Sequence, residues 1–292
     1  MSRKIIFNLN PEVSIVVQAT WDTTGISFEI MGTEPSDYLR SLGVKTTFAA
    51  RVEGKSPPFR VTWPQGKAPG INIEHLVLDQ VMPVLLSAGG SFVLHAGCVG
   101  VGCGAFAFVG PSGVGKSTLT ASFLNAGCLL LSDDAVVLTP MDDVVNVAGT
   151  YTGLRLLPDA FGQFYPAGHA SSPVSDFTPK RRLEIMPDGS ERSGRGRTLD
   201  AVFVLDEAPS ADIRLCELTW AEGCIALLRN CFRGNAHDAE LSKALFLQAA
   251  TIAARLKIFR LSYPRDFDRL AEVREVIMVH AVRTGCFSQQ AT

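Results

Sequence analysis

Gly110-Pro111-Ser112-Gly113-Val114-Gly115-Lys116-Ser117 spells GxxxxGKS, directly after the apolar run Ala105-Phe106-Ala107-Phe108-Val109. A buried strand that feeds a glycine-rich turn and then a helix makes successive backbone N–H groups converge. Such a turn cradles the oxygens of a nucleotide's phosphates, and the helix N-terminus adds partial positive charge. The residues expected to bind nucleotide are therefore Gly110, Ser112, Gly113, Val114, Gly115, Lys116, Ser117 and Thr118. Lys116 supplies a full positive charge and the Ser117 hydroxyl a ligand for Mg²⁺.

Asp133 and Asp134 lie seventeen and eighteen residues beyond Lys116. That interval holds one helix, a tight turn and a short strand. A right-handed β–α–β unit then predicts the pair at the C-terminal end of a nearby parallel strand, on the same edge as the glycine-rich turn. With strands about 4.8 Å apart, the carboxylates fall within roughly 10 Å of a bound γ-phosphate. One carboxylate can hold Mg²⁺, directly or through water, and the other can accept the proton of an attacking hydroxyl. His95 is the third candidate. A hairpin of residues 92–100 and 104–109 about residue 102 places it opposite Val109, at the mouth of the loop, to orient an aspartate or relay a proton. Phosphoryl transfer also benefits from a second cation. Arg155 and Lys180 are the preferred candidates among Arg155, Lys180, Arg181, Arg182, Arg192, Arg195 and Arg197.

Three features together, His95, Gly110 to Thr118 and Leu130-Leu131-Ser132-Asp133-Asp134, resemble the HPr serine kinase family. That family carries a histidine ahead of GxSGxGKS and an aspartate pair behind it at this separation. The resemblance covers residues 91–138. Beyond it, residues 151–159 and 180–183 look like motifs of divergent HPr-kinase-like proteins, a branch that includes kinases of lasso-peptide biosynthesis. It implies a nucleotide domain like that of phosphoenolpyruvate carboxykinases and a Mg·ATP-dependent kinase. The acceptor would be a serine of a peptide or small protein, either HPr-like or a precursor peptide. It further implies Asp133 as base, with His95 and Lys116 beside it, and Ser117 with Asp134 on the metal. The family is hexameric, so a homo-oligomer is the assembly to look for. Two features depart from it: Thr118 stands where HPr kinases carry an acid, and no segment matches the loop linked to phosphorolysis. A small-molecule hydroxyl kinase and a non-catalytic ATP-binding regulator are the other readings of the same residues.

Around these residues, 292 positions with 47% hydrophobic and 19% charged side chains allow one large core with a smaller companion. The expected fold is α/β: a P-loop kinase domain over residues 89–292 behind a small β-rich module over residues 1–88. In the module, strands are read at residues 14–17, 25–30 and 59–63, then a helix over 73–86 that Pro83 bends. Downstream, strands are expected at 144–149, 201–205, 213–218 and 257–261. Helices are expected at 117–125, 220–229, 238–255 and 265–279, and a mobile loop at 188–197. A balance of 27 basic and 29 acidic residues offers no footprint for nucleic acid. Residues 91–110 carry no charge but hold five glycines and a histidine, which suits two buried strands rather than a membrane span. Seven scattered cysteines without a CxxC pair read as buried free thiols, and the N-terminus lacks the apolar core of a signal peptide. A cytoplasmic protein is expected.

Overall fold

β-branched and aromatic residues at alternating spacing make the start of the chain extend and pair edge to edge. The computed structural model describes residues 2–10, 13–22, 25–32, 47–53, 60–62, 71–150, 153–185, 196–233 and 238–283. Its first sheet is an antiparallel meander of β1 (Ser2–Asn10), β2 (Val13–Asp22), β3 (Gly25–Gly32), β4 (Thr47–Glu53) and β5 (Arg60–Thr62). Strands β1 and β4 add to the three expected. Alternate residues Val17, Ala19, Ile26, Phe28 and Ile30 are buried from this sheet, as a period of two requires.

The expected helix over 73–86 is observed in three pieces: α1 (Ile71–Leu76), a π-helical turn (Val77–Val81) and α2 (Met82–Ala88). Pro83 has no N–H to give to the carbonyl four residues back. The disturbance falls just before it, where the Met82 N–H bonds to the Val77 carbonyl, five residues back. Leu76, Val77, Val81 and Met82 share one apolar cluster with the first sheet and with Val93, Ala135 and Val137 of the second. The helical segment is thus wedged between two sheets, across the division expected at residue 88.

The remaining elements are β6 (Phe92–Val101), β7 (Gly104–Val109), α3 (Lys116–Asn125), β8 (Leu129–Ser132), β9 (Ala135–Met141), β10 (Val144–Gly149), β11 (Leu154–Leu156) and α4 (Pro158–Phe164). They continue with β12 (Ser172–Ser175), β13 (Thr178–Leu183), β14 (Arg197–Leu205), β15 (Arg214–Glu217), α5 (Trp220–Asn230), α6 (Ala239–Arg255), β16 (Lys257–Ser262) and, after a 3₁₀ turn, α7 (Leu270–Arg283). The central sheet runs β10-β9-β6-β7-β14-β16-β15, with β8 also on β6 and β10 also reaching β14. Strands β7, β14 and β16 are parallel to one another, while β6 and β15 run against them. The fold is mixed α/β with a central sheet. Its two faces differ in side-chain size. Ala105, Ala107 and Val109 of β7 meet α5 and α6, while Phe106 and Phe108 pack on α3 and α7. A side sheet, β11-β13-β12, closes over α4.

Residues 91–110 form the expected pair of buried strands, and no helix among the described residues is long and apolar enough to cross a membrane. The cysteine reading needs correcting: Cys98 and Cys224 are buried, but Cys103 and Cys216 are exposed, and none of the described cysteines is in a disulfide. Most of the arginine–glycine loop, with Arg192 and Arg195, lies outside the described residues, as do Tyr151, Thr152 and Cys286.

Candidate active site

Strand β7 ends at Val109, and α3 begins at Lys116. The chain between them turns through left-handed backbone at Gly113 (φ 81°) and Gly115 (φ 99°), a region costly for any side chain with a Cβ. At Gly115 space is short as well, since a Cβ there would lie 3.0 Å from the Tyr263 hydroxyl. Pro111, Ser112 and Gly113 form an exposed rim, and Val114 is anchored in the core below. Lys116 is folded back over this loop. Its Nζ donates to the carbonyls of Gly110 (2.7 Å) and Pro111 (2.9 Å). Burial lowers its pKa, Asp134 and Asp133 oppose that, and Lys180 adds to it by like-charge repulsion. Lys180 therefore sits within electrostatic reach of the loop, as expected.

The aspartate pair directly follows the C-terminal end of β8, as expected, but a further strand, β9, continues beyond it. Strands β8 and β9 run end to end along β6: Ser132 pairs with Cys98, and Ala135 with His95. Asp133 and Asp134 fill the break between them with the register on β6 unchanged, the pairing irregularity falling just before, between Leu130 and Ser132. The break is pinned by local bonds. The Ser132 hydroxyl and the Thr150 N–H and hydroxyl all donate to the Ala135 carbonyl, and the Ala96 N–H donates to the Asp134 carbonyl. Because Ala96 pairs with Val109, the acids are level with the start of the glycine-rich loop, one strand removed from β7. The direction inferred from a β–α–β unit holds, since β8 and β7 both oppose β6, but the two strands are separated by β6 rather than adjacent.

The expected register of the β6–β7 hairpin is off by one. The turn is a two-residue Gly102-Cys103 connection with Gly102 at φ 55°, so Ala96 and not His95 faces Val109. His95 instead pairs with Ala135 and reaches the aspartates from the far side of β6. Its Nε2 is 3.1 Å from Asp134 Oδ1, and its ring stands 5.6 Å from that of Phe232. With 37% of the side chain exposed it is the most open group of the set, against 17% for Asp134.

The two carboxylates have opposite environments. Asp133 is 3% exposed, and its Oδ2 accepts the Arg155 N–H at 2.8 Å. Burial is the main reason that its pKa rises to about 6, against the pull of Arg155 and of the nearby Ser117 hydroxyl. Its Oδ1 is sealed from solvent without a hydrogen bond of ordinary geometry. Asp134 is held well below the usual carboxylate range, because the Arg155 guanidinium and His95 outweigh its burial. Arg155 Nη2 lies 2.9 Å from Asp134 Oδ2. A carboxyl that gains protons easily and one that stays anionic thus stand side by side.

Asp79, which has no motif of its own in the sequence, and the candidate Arg182 complete the site. Asp79, in the π turn, pairs with Arg155 Nη1 and with His75. Arg182 Nη1 lies 3.1 Å from Glu74, and its Nη2 3.7 Å from the same Asp79. Burial and the charge of Asp133 push the Tyr165 phenol up. Of the seven basic candidates, Arg155, Lys180 and Arg182 gather here. Arg181 is spent on Ser171 (2.7 and 2.8 Å), and Arg197 binds the Gly102 carbonyl at the other end of β6.

Among the described residues no group of three or more His, Cys, Asp or Glu side chains converges as a metal cage. Mg²⁺ asks for less, since it keeps several waters and binds through one or two carboxylates and its phosphates. The buried, unpartnered Oδ1 of Asp133 beside the Ser117 hydroxyl offers such a hard-oxygen pair. No family model and no curated protein matches the chain. Among solved structures it is similar to the HPr(Ser) kinase/phosphatase from Coxiella burnetii. The two share 10% identity over 66% of this chain and 98% of that one, with a TM-score of 0.33. A likeness that slight transfers no residue roles, which rest on the geometry above.

Proposed function

We propose that this chain is a Mg·ATP-dependent phosphotransferase that moves the γ-phosphoryl group to a serine hydroxyl of a peptide or small protein. One observation carries the reading: a buried, easily protonated carboxylate, Asp133, stands against the Ser117 hydroxyl at the head of the glycine-rich loop. The Gly110–Ser117 amides and the N-terminus of α3 hold the phosphates. Lys116, released from the loop carbonyls it now bonds, neutralises their charge. Ser117 and a carboxylate of the pair would hold Mg²⁺, which would supply positive charge against the phosphates.

Asp133 takes the proton of the acceptor hydroxyl as it attacks. A pKa near 6 leaves it charged at neutral pH yet basic enough to bind that proton. Asp134 stays anionic between His95 and Arg155, and Lys180 adds positive charge near the transferring group.

A second reading of the pair is favoured by the unpartnered Asp133 Oδ1 and by the exposure of His95. Asp133 would then join Ser117 on the metal, and His95, oriented by Asp134, would take the proton at the mouth of the site. Asp133→Asn and His95→Gln, each assayed for ATP affinity with and without Mg²⁺ and for transfer to serine peptides, separate the two. Loss of transfer with Mg-dependent affinity intact in Asp133→Asn supports the first reading. Loss of Mg-dependent affinity in that variant, with loss of transfer in His95→Gln, supports the second. Tight ATP binding with label reaching neither serine peptides nor a pool of metabolites would leave a nucleotide-binding regulator.

A further inference from the structure

Asp79 is the one charged side chain between Leu76 and Leu86, and it is buried: 3% of its side chain is exposed. An unpaired carboxylate at that depth would cost several kcal/mol, so it survives only with partners. They come from three elements: His75 from α1, Arg155 Nη1 from β11 and Arg182 Nη2 from β13. Arg155 in turn offers its other terminal nitrogen to Asp134 and its backbone N–H to Asp133. The guanidinium therefore spans two acids, one from the central sheet and one from the helix before it.

The π turn is part of the same device. One extra residue in the turn rotates α2 relative to α1, and such turns recur where a helix must aim a functional side chain. Here the turn buries Asp79 along with Val77 and Val81, and those two valines belong to one apolar cluster with the first sheet's Val17, Ile26 and Phe28. A second tie fixes the helix to the side sheet. Asn72 Nδ2 donates to Asp176 Oδ2, and the Asp176 N–H donates to Asn72 Oδ1, both at 2.8 Å.

Resting on the kinase reading of the site, we infer that Asp79 is a positioning residue that sets Arg155 against the aspartate pair, and that the N-terminal sheet serves the reaction by backing the helix that carries it. Arg155 touches the acids directly, whereas Asp79 reaches them through Arg155. Without Asp79 the guanidinium loses its anchor on the helix and is free to shift against the site carboxylates. A shift of about 1 Å in a catalytic group is enough to cost on the order of a hundredfold in rate.

The test uses the full chain in three variants, Asp79→Asn, Arg155→Lys and the double variant, with ATP affinity, serine-peptide transfer and melting temperature measured for each. A second readout follows the Arg155 guanidinium in ¹⁵N-arginine-labelled protein, assigned by its absence from Arg155→Lys. Asp79→Asn is expected to lower transfer about a hundredfold while ATP affinity stays within about threefold of wild type. In the Arg155→Lys background the same change should then cost less than about threefold, because both act through one contact. The guanidinium resonance should lose its protection from exchange in Asp79→Asn. The inference is overturned if Asp79→Asn transfers at the wild-type rate, if the two losses multiply, or if the Arg155 resonance is unchanged. Should wild type transfer nothing while the resonance still responds to Asp79→Asn, the kinase reading fails and the anchoring of Arg155 by Asp79 stands.

Discussion

Replacing Asp133 with Asn should make the protein both inactive and more stable. In the folded chain the Asp133 pKa is raised from 3.8 to about 6, chiefly by burial. A raised acid binds its proton more tightly folded than unfolded. Its favourable contribution is therefore complete below pH 3.8 and disappears as pH climbs through 6. Above that the wild type carries a buried charge whose cost, from the same displacement, is about 2–3 kcal/mol. Asn keeps the shape and still accepts the Arg155 N–H, but never ionises. In Mg-free buffer the stability gain of Asp133→Asn should accordingly be near zero at pH 4 and grow to about 2–3 kcal/mol at pH 8, or roughly 4–8 °C in melting temperature. Transfer to a serine peptide should meanwhile fall by about two to four orders of magnitude, the usual contribution of a general base. In the wild type the rate should decline as pH drops below 6, as the base fills with protons. Urea melts across pH and a radiolabel transfer assay read both sides. A variant that is less stable than wild type at pH 8 would refute the account of Asp133 as a poorly solvated charge. One that still transfers would remove it as the base.

The same geometry carries three further outcomes. Lys116→Met should weaken ATP binding by about a hundredfold, measured by calorimetry, because the loop loses its one full charge. Gly149→Ala should lose about 1–3 kcal/mol in denaturant melts, since the added methyl would lie 1.9 Å from the Leu131 carbonyl that leads into the acid pair; an unchanged midpoint would contradict that packing. A thiol reagent on the native protein should label Cys103 and Cys216 at once and Cys98 only on unfolding, because burial also pushes the Cys98 thiol far above its ordinary pKa. Mass spectrometry of labelled peptides reads the order.

Local chemistry was legible where one stretch of sequence specifies its own structure. GxxxxGKS after an apolar run predicts strand, turn and helix together, and α3, β10 and β16 lie within a residue or so of their expected bounds. Asp238 caps α6 through the Leu241 N–H, as its position before an apolar periodic segment suggests. Positions that depend on pairing were less legible. His95 was off by one because a two-residue turn and a three-residue turn differ by only one position in sequence, while the choice moves a side chain to the opposite face. The acid pair was placed correctly at a strand end, but nothing local says that β8 and β9 continue each other along β6. Asp79 did leave a signal, a single charge inside an apolar helical run, but its partner Arg155 is distant in sequence and only the fold joins them.

The extra pairing of β10 with β14 has a consequence for synthesis on the ribosome. Asn146 and Val147 meet Thr198 and Arg197, and β7 is flanked on its open side by β14, which is itself flanked by β16. Every residue proposed to handle phosphate or proton is therefore translated before the strands that enclose its sheet. The nascent chain carries nearly the whole candidate site with a bare, apolar edge at β7, prone to wrong partners until the last third emerges.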